Sequence, residues 1–325
     1  MCGIAGWIDF HRDLRMQEDI IGKMTGTLVR RGPDAQGIYR KENVCLMHRR
    51  LIVIDPENGI QPMTIQKGNT SYTIVYNGEL YNTSELRDEL LAFGYHFRGH
   101  SDTEVLLTAF VHWGESCLEK LNGIYAFGVW NDADKTLFLA RDRMGVKPLF
   151  VYCYPDGILF GSELKTLLAN PLIKPRVDKD GLKEIFLLGP GRTGGNGVIK
   201  GVTELKPAEY LVFGRQTGCK VRQYWSPKAM EHSDDIQTTV EKTRFFITDA
   251  VKRQLVSDVP LCCFLSGGLD SSIISKIASD AYLADNKGNL HTYSVNYVDN
   301  QRYFKRSLFQ PNSDEESIRM MASAI

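Results

Sequence analysis

One switch of pattern constrains this chain more than any other feature. Through about residue 225, short β-rich runs alternate with Gly, Pro and Asn turns. After the polar stretch 226–235 come a long helix, an apolar strand, a Ser-Gly-Gly turn, an amphipathic helix and a further strand. The first pattern has more strands than helices and suggests antiparallel pairing, so it calls for an α+β domain. The second is a parallel βαβ unit. The length, 325 residues, agrees with two domains of roughly 150 residues each. We place them at 2–227 and 236–325, with 226–235 as a linker.

Within the first pattern, residues 2–8 read as a strand, and Ile20, Ile21, Met24 and Leu28 recur at helical spacing. Strand-like runs follow at 44–47, 51–54 and 72–76. Leu86, Leu90 and Phe93 mark a helix stopped by Gly94. Val105, Leu106, Ala109, Phe110 and Trp113 mark the buried face of another, stopped by Gly114. More strands are expected at 125–130, 136–140, 149–152 and 158–162, with a last pair at 209–213 and 221–224. Residues 189–201 hold six glycines and a proline and read as a loop.

In the second pattern a helix is expected over roughly 236–256, a strand at 259–265, a helix at 270–284 and a strand at 291–297. Ile273, Ile274, Ile277, Ala278 and Ala281 are its apolar positions, and Cys262 and Cys263 read as core packing. Pro311 to Glu316 read as the start of a further helix, continued by Ile318, Met321 and Ala322.

Lys plus Arg is 39 and Asp plus Glu is 39, so the net charge is zero. That gives no electrostatic reason to seek nucleic acid or an acidic membrane. No apolar stretch approaches the ~20 residues of a membrane helix. The seven cysteines are odd in number, contain no CxxC and suggest neither bridges nor a zinc site. The expectation is a reducing, cytoplasmic compartment.

Cys2 has a chemistry that the other cysteines lack. Aminopeptidases remove Met1 when the second residue is small, leaving Cys2 at the terminus. Its α-amino group, with a reference pKa near ~8, can then take the proton of its own thiol directly or through water. Thiolate is the nucleophilic form. The bland alternative is a small buried strand residue. Four neighbouring segments also have ordinary explanations. Arg30-Arg31-Gly32-Pro33-Asp34 reads as a helix end and turn. In His48-Arg49-Arg50-Leu51-Ile52-Val53-Ile54-Asp55 the arginines suit exposed ion pairs on an apolar strand. Asn77-Gly78 suits a type I′ hairpin turn. Ser101-Asp102-Thr103-Glu104 makes a capping box, worth roughly 1 kcal/mol.

Taken together these segments resemble the class II glutamine amidotransferase domain, an amino-terminal-nucleophile hydrolase fold of four layers, αββα. The resemblance continues through Gly123-Ile124-Tyr125-Ala126-Phe127, Arg141-Asp142-Arg143-Met144-Gly145-Val146-Lys147-Pro148-Leu149 and Ser162-Glu163-Leu164-Lys165. It implies that Cys2 attacks the side-chain amide of glutamine. Asn77 and the Gly78 N–H would hold the oxyanion, Arg50 the substrate carboxylate, and Glu79 and Asp102 its ammonium. The backbone of Leu51, Ile52, Val53 and Ile54 would line the pocket.

Phe264-Leu265-Ser266-Gly267-Gly268-Leu269-Asp270-Ser271-Ser272 joins an apolar strand to a helix. Two glycines let successive N–H groups converge at a helix N-terminus, which favours an anion. A plain strand-to-helix turn is the bland reading. The segment is similar to the pyrophosphate loop of ATP pyrophosphatases. That similarity implies that Ser266, Gly267, Gly268, Asp270, Ser271 and Ser272 hold the pyrophosphate of ATP with Mg²⁺, with Leu265 and Val295 bordering the adenosine. No protein metal ligands are assigned.

A class II glutaminase followed by Ser-Gly-Gly-Leu-Asp-Ser is the order of the glutamine-hydrolysing asparagine synthetase family. The family implies glutamine, aspartate and ATP as substrates, aspartate adenylation and, often, homodimers. Its second acidic, glycine-rich motif has no counterpart before Ile325, so the second domain is expected to be truncated, with only the glutaminase active. An amidotransferase for another carboxylate acceptor and a non-catalytic nucleotide- or glutamine-binding remnant are the alternatives.

Overall fold

Strand β1 (Gly3–Asp9) is buried along its whole length. Successive strand residues point to opposite faces, so both faces of its sheet must be covered. Ile4 and Ile8 point one way and pack with Trp130, Leu139 and Phe213; Ala5 and Trp7 point the other way and pack with Ile21, Met24 and Leu167. The computed structural model describes residues 1–308 and 313–325, which form two units, Met1–Ala229 and Met230–Ile325.

In the first unit the remaining strands are β2 (Ala35–Arg40), β3 (Val44–Arg50), β4 (Met63–Lys67), β5 (Thr70–Leu80), β6 (Gly123–Asn131), β7 (Thr136–Arg141), β8 (Phe150–Tyr154), β9 (Gly157–Gly161), β10 (Thr203–Glu204), β11 (Glu209–Gly214) and β12 (Gly218–Gln223). They build two six-stranded antiparallel sheets, in the orders β10-β8-β9-β1-β3-β2 and β12-β11-β7-β6-β5-β4. Helices α1 (Glu18–Gly26) and α5 (Leu164–Leu168) pack on the outer face of the first sheet. Helices α2 (Thr83–Ala92) and α3 (Asp102–Trp113), followed by the short α4 (Cys117–Lys120), pack on the second. The layers are therefore αββα. Gly6 is dictated by the inner face, because a Cβ there would lie 2.0 Å from the Phe160 ring. A further short helix, α6 (Lys179–Lys183), precedes the glycine-rich loop.

Several expectations need correction. Residues 51–54 are not a strand: β3 ends at Arg50 and the chain leaves the sheet. Asn77-Gly78 is not a hairpin turn, since both residues lie inside β5, paired with Ala126 and Tyr125 of β6. The capping box is half formed. Ser101 Oγ accepts the Thr103 N–H at 3.2 Å, but Glu104 turns to the N–H groups of Arg98 and Gly99. Cys153 of β8 and Cys219 of β12 form a disulfide, contrary to the reading of the cysteine count. The two are 66 residues apart and meet because β8, second from the edge of its sheet, lies against β12, the edge strand of the other.

In the second unit α7 (Ile236–Arg253) is followed by β13 (Cys262–Phe264), α8 (Leu269–Ala284) and β14 (His291–Tyr293), then by α9 (Asn300–Tyr303) and α10 (Glu315–Ala324). β13 and β14 pair in parallel, completing a βαβ unit with shorter strands than expected. Cys262 is exposed and Cys263 half-buried, so neither is a core residue. Ile274 is exposed as well, while Ser275 and Ser279 are buried on α8. The two-stranded sheet offers too little surface to bury every apolar position of its helix. The expected helix start at Pro311 and Asn312 lies outside the described residues. Among the described residues no helix is long and apolar enough to cross a membrane.

Candidate active site

The register of the strands assembles the site. β1 pairs with β3 so that Gly3 faces Arg49, which sets Cys2 beside the start of the 51–54 segment. β5 of the other sheet brings Asn77, Gly78 and Glu79, and the first turn of α3 brings Asp102. These groups open onto a cavity of about 160 Å³ that Cys2, Arg50, Leu51, Val53, Ile54, Asn77, Gly78, Glu79 and Asp102 line together. That is below the roughly 300–1,000 Å³ of drug-sized sites and suits a small metabolite. Ile52 does not line it; its N–H donates to Asp34 at 2.8 Å instead.

Cys2 Sγ accepts the Leu51 N–H at 3.4 Å, and the thiol approaches the Leu51 carbonyl at 3.6 Å. Burial pushes this thiol up from its ordinary pKa, opposed by the Leu51 contact, the chain-terminal amine and Arg50. Burial lowers the terminal amine, and Lys147 and Arg31 lower it further. Arg31 Nε donates to the Cys2 carbonyl at 2.9 Å, so the Arg-Arg-Gly-Pro-Asp turn fixes the backbone of the thiol.

Asn77 is 1% exposed, yet both its Nδ2 and its Oδ1 lack a hydrogen-bond partner among the described residues. Leaving a buried amide unsatisfied costs about 1–3 kcal/mol per group, so such an arrangement needs a reason beyond folding. Gly78 is required by close approach: a Cβ would lie 2.3 Å from the Ile124 carbonyl oxygen.

Arg50 is buried, not the exposed ion-pair residue of the bland reading. Its guanidinium donates to the carbonyls of Pro56, Ile54 and Asp55 at 2.8, 2.9 and 2.6 Å. This capture of backbone carbonyls is why the chain leaves the sheet after Arg50. Nη1 and Nη2 make these bonds, which leaves the Nε–H and one Nη1 N–H, on different edges of the guanidinium. Asp55, at φ 48, fixes the far end of the loop. Its carboxylate accepts the N–H of Asn58 at 2.9 Å, of His100 at 2.7 Å and of Ser101 at 3.1 Å. The 51–58 loop is thus tied to the start of α3.

Asp102 accepts the Tyr76 hydroxyl at 2.9 Å and the Leu80 N–H at 3.3 Å. Burial raises it to a pKa of about 6, against the hydrogen bond from Tyr76. Tyr76 is held in turn by Gln61, whose Oε1 accepts its N–H at 2.6 Å.

Sequence reading missed Gly59, Gln61, Tyr76, Ser101, Thr103 and Lys147, all of which line the cavity. Lys147 had the clearest signal, since it lies in the Arg-Asp-Arg-Met-Gly-Val-Lys segment. Asp142 builds that turn by accepting the N–H groups of Met144 at 3.1 Å, Val146 at 3.0 Å and Lys147 at 3.0 Å. Arg141 binds the Lys147 carbonyl at 2.8 Å from the other side.

The second unit places Ser266, Gly267, Gly268, Asp270, Ser271 and Ser272 at the carboxyl end of β13 and the N-terminus of α8. Gly267 has φ +84, which a residue with a side chain rarely adopts. Ser266 and Ser271 hydroxyls lie 3.0 Å apart, and the Ser266 N–H donates to Ser271 Oγ at 3.2 Å. Leu265 is buried, with its N–H bonded to the Tyr293 carbonyl at 2.8 Å, whereas the Val295 side chain is exposed.

Comparison with known proteins gives these two sites a context. A family model described as glutamine amidotransferase domain matches residues 1–225, and one described as asparagine synthase matches residues 242–324. Asparagine synthetase (glutamine-hydrolyzing) 3 of Bacillus subtilis is 49% identical over 100% of this chain and 53% of its own length. Asparagine synthetase (glutamine-hydrolyzing) 1 of the same organism is 35% identical over 91% of this chain and 46% of its own length. The chain therefore spans about half the length of these relatives. A solved structure, the allosteric regulatory enzyme of purine biosynthesis, superposes with a TM-score of 0.52 at 16% identity, covering 95% of this chain and 69% of that one. It shares the fold. On the match over residues 1–225, the chain belongs to the glutamine amidotransferase domain family.

Proposed function

We propose that the chain carries the glutaminase domain and the ATP-binding start of a glutamine-dependent asparagine synthetase, divided at 2–227 and 236–325. The observation that carries the first half is the orphaned Asn77 amide, buried beside the Cys2 thiol in a cavity of metabolite size. In this reading Met1 is removed and glutamine enters with its carboxylate at the Arg50 guanidinium. Its ammonium lies between Glu79 and Asp102. Among the described residues no histidine lines the cavity, and the α-amino group of Cys2, directly or through water, takes the thiol proton. The thiolate attacks the side-chain carbonyl carbon, and the oxyanion is held by Asn77 Nδ2 and the Gly78 N–H, each such donor worth about 3–4 kcal/mol. The new ammonium returns its proton to the leaving nitrogen. Ammonia departs, and water hydrolyses the thioester to glutamate.

In the second unit the loop from Ser266 to Ser272 would bind the pyrophosphate of ATP, with Leu265 and Val295 beside the adenosine. Asp270 is an exposed carboxylate at the loop, a donor set that suits Mg²⁺ arriving on phosphate oxygens. Bound there, Mg²⁺ would neutralise the leaving pyrophosphate. Aspartate is the proposed acceptor, activated as its adenylate and aminated by the ammonia. The names of the relatives and the asparagine synthase match support this half. We propose a cytoplasmic location because Cys2 acts only as a free thiol, against which the Cys153–Cys219 disulfide stands, and we propose a homodimer, which light scattering would detect as a doubled mass.

The test is ammonia release from glutamine alone, then with ATP and a panel of carboxylates. Glutamate and ammonia from glutamine alone support the first half; none, with Met1 removed, contradicts it. Pyrophosphate release dependent on aspartate supports the second half and overturns the expectation that only the glutaminase is active in this chain, and release with a different carboxylate replaces the acceptor.

A further inference from the structure

Lys147 is a cation to which the roles above assign nothing. It is 4% exposed and lines the same cavity as Cys2. Its backbone is clamped on both sides, by Asp142 and Arg141, in a turn whose Gly145 has φ +66. Its Nζ lies 3.2 Å from Met1 Sδ, and no carboxylate forms an ion pair with it among the described residues. A buried cation without a counter-ion is costly, so its placement calls for a use.

The glutaminase reading, on which this inference rests, supplies one. Removing Met1 takes away the thioether that Lys147 touches and creates an α-amino group on Cys2 in the same cavity. An amine of ordinary pKa, near ~8, is largely protonated at neutral pH and is then no base. We propose that Lys147 is a positioning residue for the proton transfer: its fixed ammonium faces the Cys2 amine and, as a like charge, holds it in the neutral form.

The surrounding charges are consistent with this. Before Met1 is removed, burial lowers the Met1 amine, the Cys2 thiol and Glu79 of β5 raise it, and two cations, Lys147 from the turn after β7 and Arg31 from the turn after α1, lower it further. Arg50 and Asp102 act on the thiol; burial lowers Lys147 itself, while Glu79, the Cys2 thiol and Asp142 favour its charge and Arg31 opposes it. Arg31 is already engaged with the Cys2 carbonyl at 2.9 Å and with Glu163 at 3.3 Å. In the step itself the S–H bond breaks, the proton joins the amine lone pair, and the sulfur electron pair forms the bond to the glutamine carbonyl carbon.

The experiment is the pH dependence of kcat/KM for glutamine hydrolysis in the wild type, Lys147→Met and Lys147→Arg. The acid limb of Lys147→Met is expected to move up by about one pH unit, with the profiles converging at high pH, while Lys147→Arg keeps the wild-type limb. An equal loss at every pH, or an unmoved limb, overturns the proposal. If Lys147→Met does not fold, Lys147→Gln replaces it. A second readout is the pH midpoint for acetylation of the terminal amine by acetic anhydride, in Cys2→Ala chains with and without Lys147. The midpoint should rise by about one unit when Lys147 is replaced; identical midpoints overturn the proposal even if the wild type proves not to hydrolyse glutamine.

Discussion

The Leu51 N–H points at Cys2 Sγ from 3.4 Å, across 49 residues of sequence. It ties the amino terminus to the loop that Arg50 shapes. Leu51 holds the candidate nucleophile through its N–H and its carbonyl, 3.4 and 3.6 Å from Sγ, so the thiol and the pocket are ordered together.

Asn77 should separate activity from stability. Asn77→Ala removes an amide that satisfies nothing in the fold. Glutaminase kcat is expected to fall by about 10²–10³-fold, while the thermal midpoint holds or rises, because an unsatisfied polar group is gone. A large loss of stability with kcat intact would show a structural amide.

Asp102 sets a pH limit on substrate binding. With a pKa of about 6, it is charged above pH 6 and neutral below. Its attraction for the substrate ammonium is therefore present above that value and lost as pH falls through it. KM for glutamine should climb towards roughly tenfold per pH unit below pH 6. Asp102→Asn should give a raised KM that no longer changes over this range, read from steady-state kinetics.

Asp55 should matter without touching substrate. Its carboxylate satisfies three backbone N–H groups that join the loop to α3. Asp55→Ala leaves those donors unpaired and is expected to cost about 2–4 kcal/mol in denaturant unfolding. KM should rise more than kcat falls, because Arg50 loses the loop that orients it.

Gly78→Ala tests the close approach of β5 and β6. A Cβ 2.3 Å from the Ile124 oxygen cannot be accommodated without moving the strand. A loss of about 1–3 kcal/mol in unfolding is expected, together with a fall in kcat because the N–H moves. Full activity would remove Gly78 from the proposed oxyanion site.

The candidate site was legible through resemblance: taken singly, each segment had an ordinary explanation, and only the resemblance picked out Cys2, Arg50, Asn77, Gly78, Glu79 and Asp102, which the fold brings to one cavity. The segment 51–54 misled because its apolar run has strand propensity, while its path is decided by side chains outside it, Arg50 and Asp55. Asn77-Gly78 looked like a turn because local preference cannot show that β6 lies alongside. Cys153 and Cys219 were illegible as a pair, since their meeting depends on which strands of the two sheets face each other. In the second unit Ile274 followed helical periodicity, but periodicity does not say whether a layer is present to receive it.

The most direct test of the central claim is glutamine hydrolysis by chains with Met1 removed, wild type against Cys2→Ala, each verified by intact mass and thermal unfolding. The account predicts glutamate release by the wild type and none above background from a folded Cys2→Ala chain. Undiminished release from that variant would contradict it.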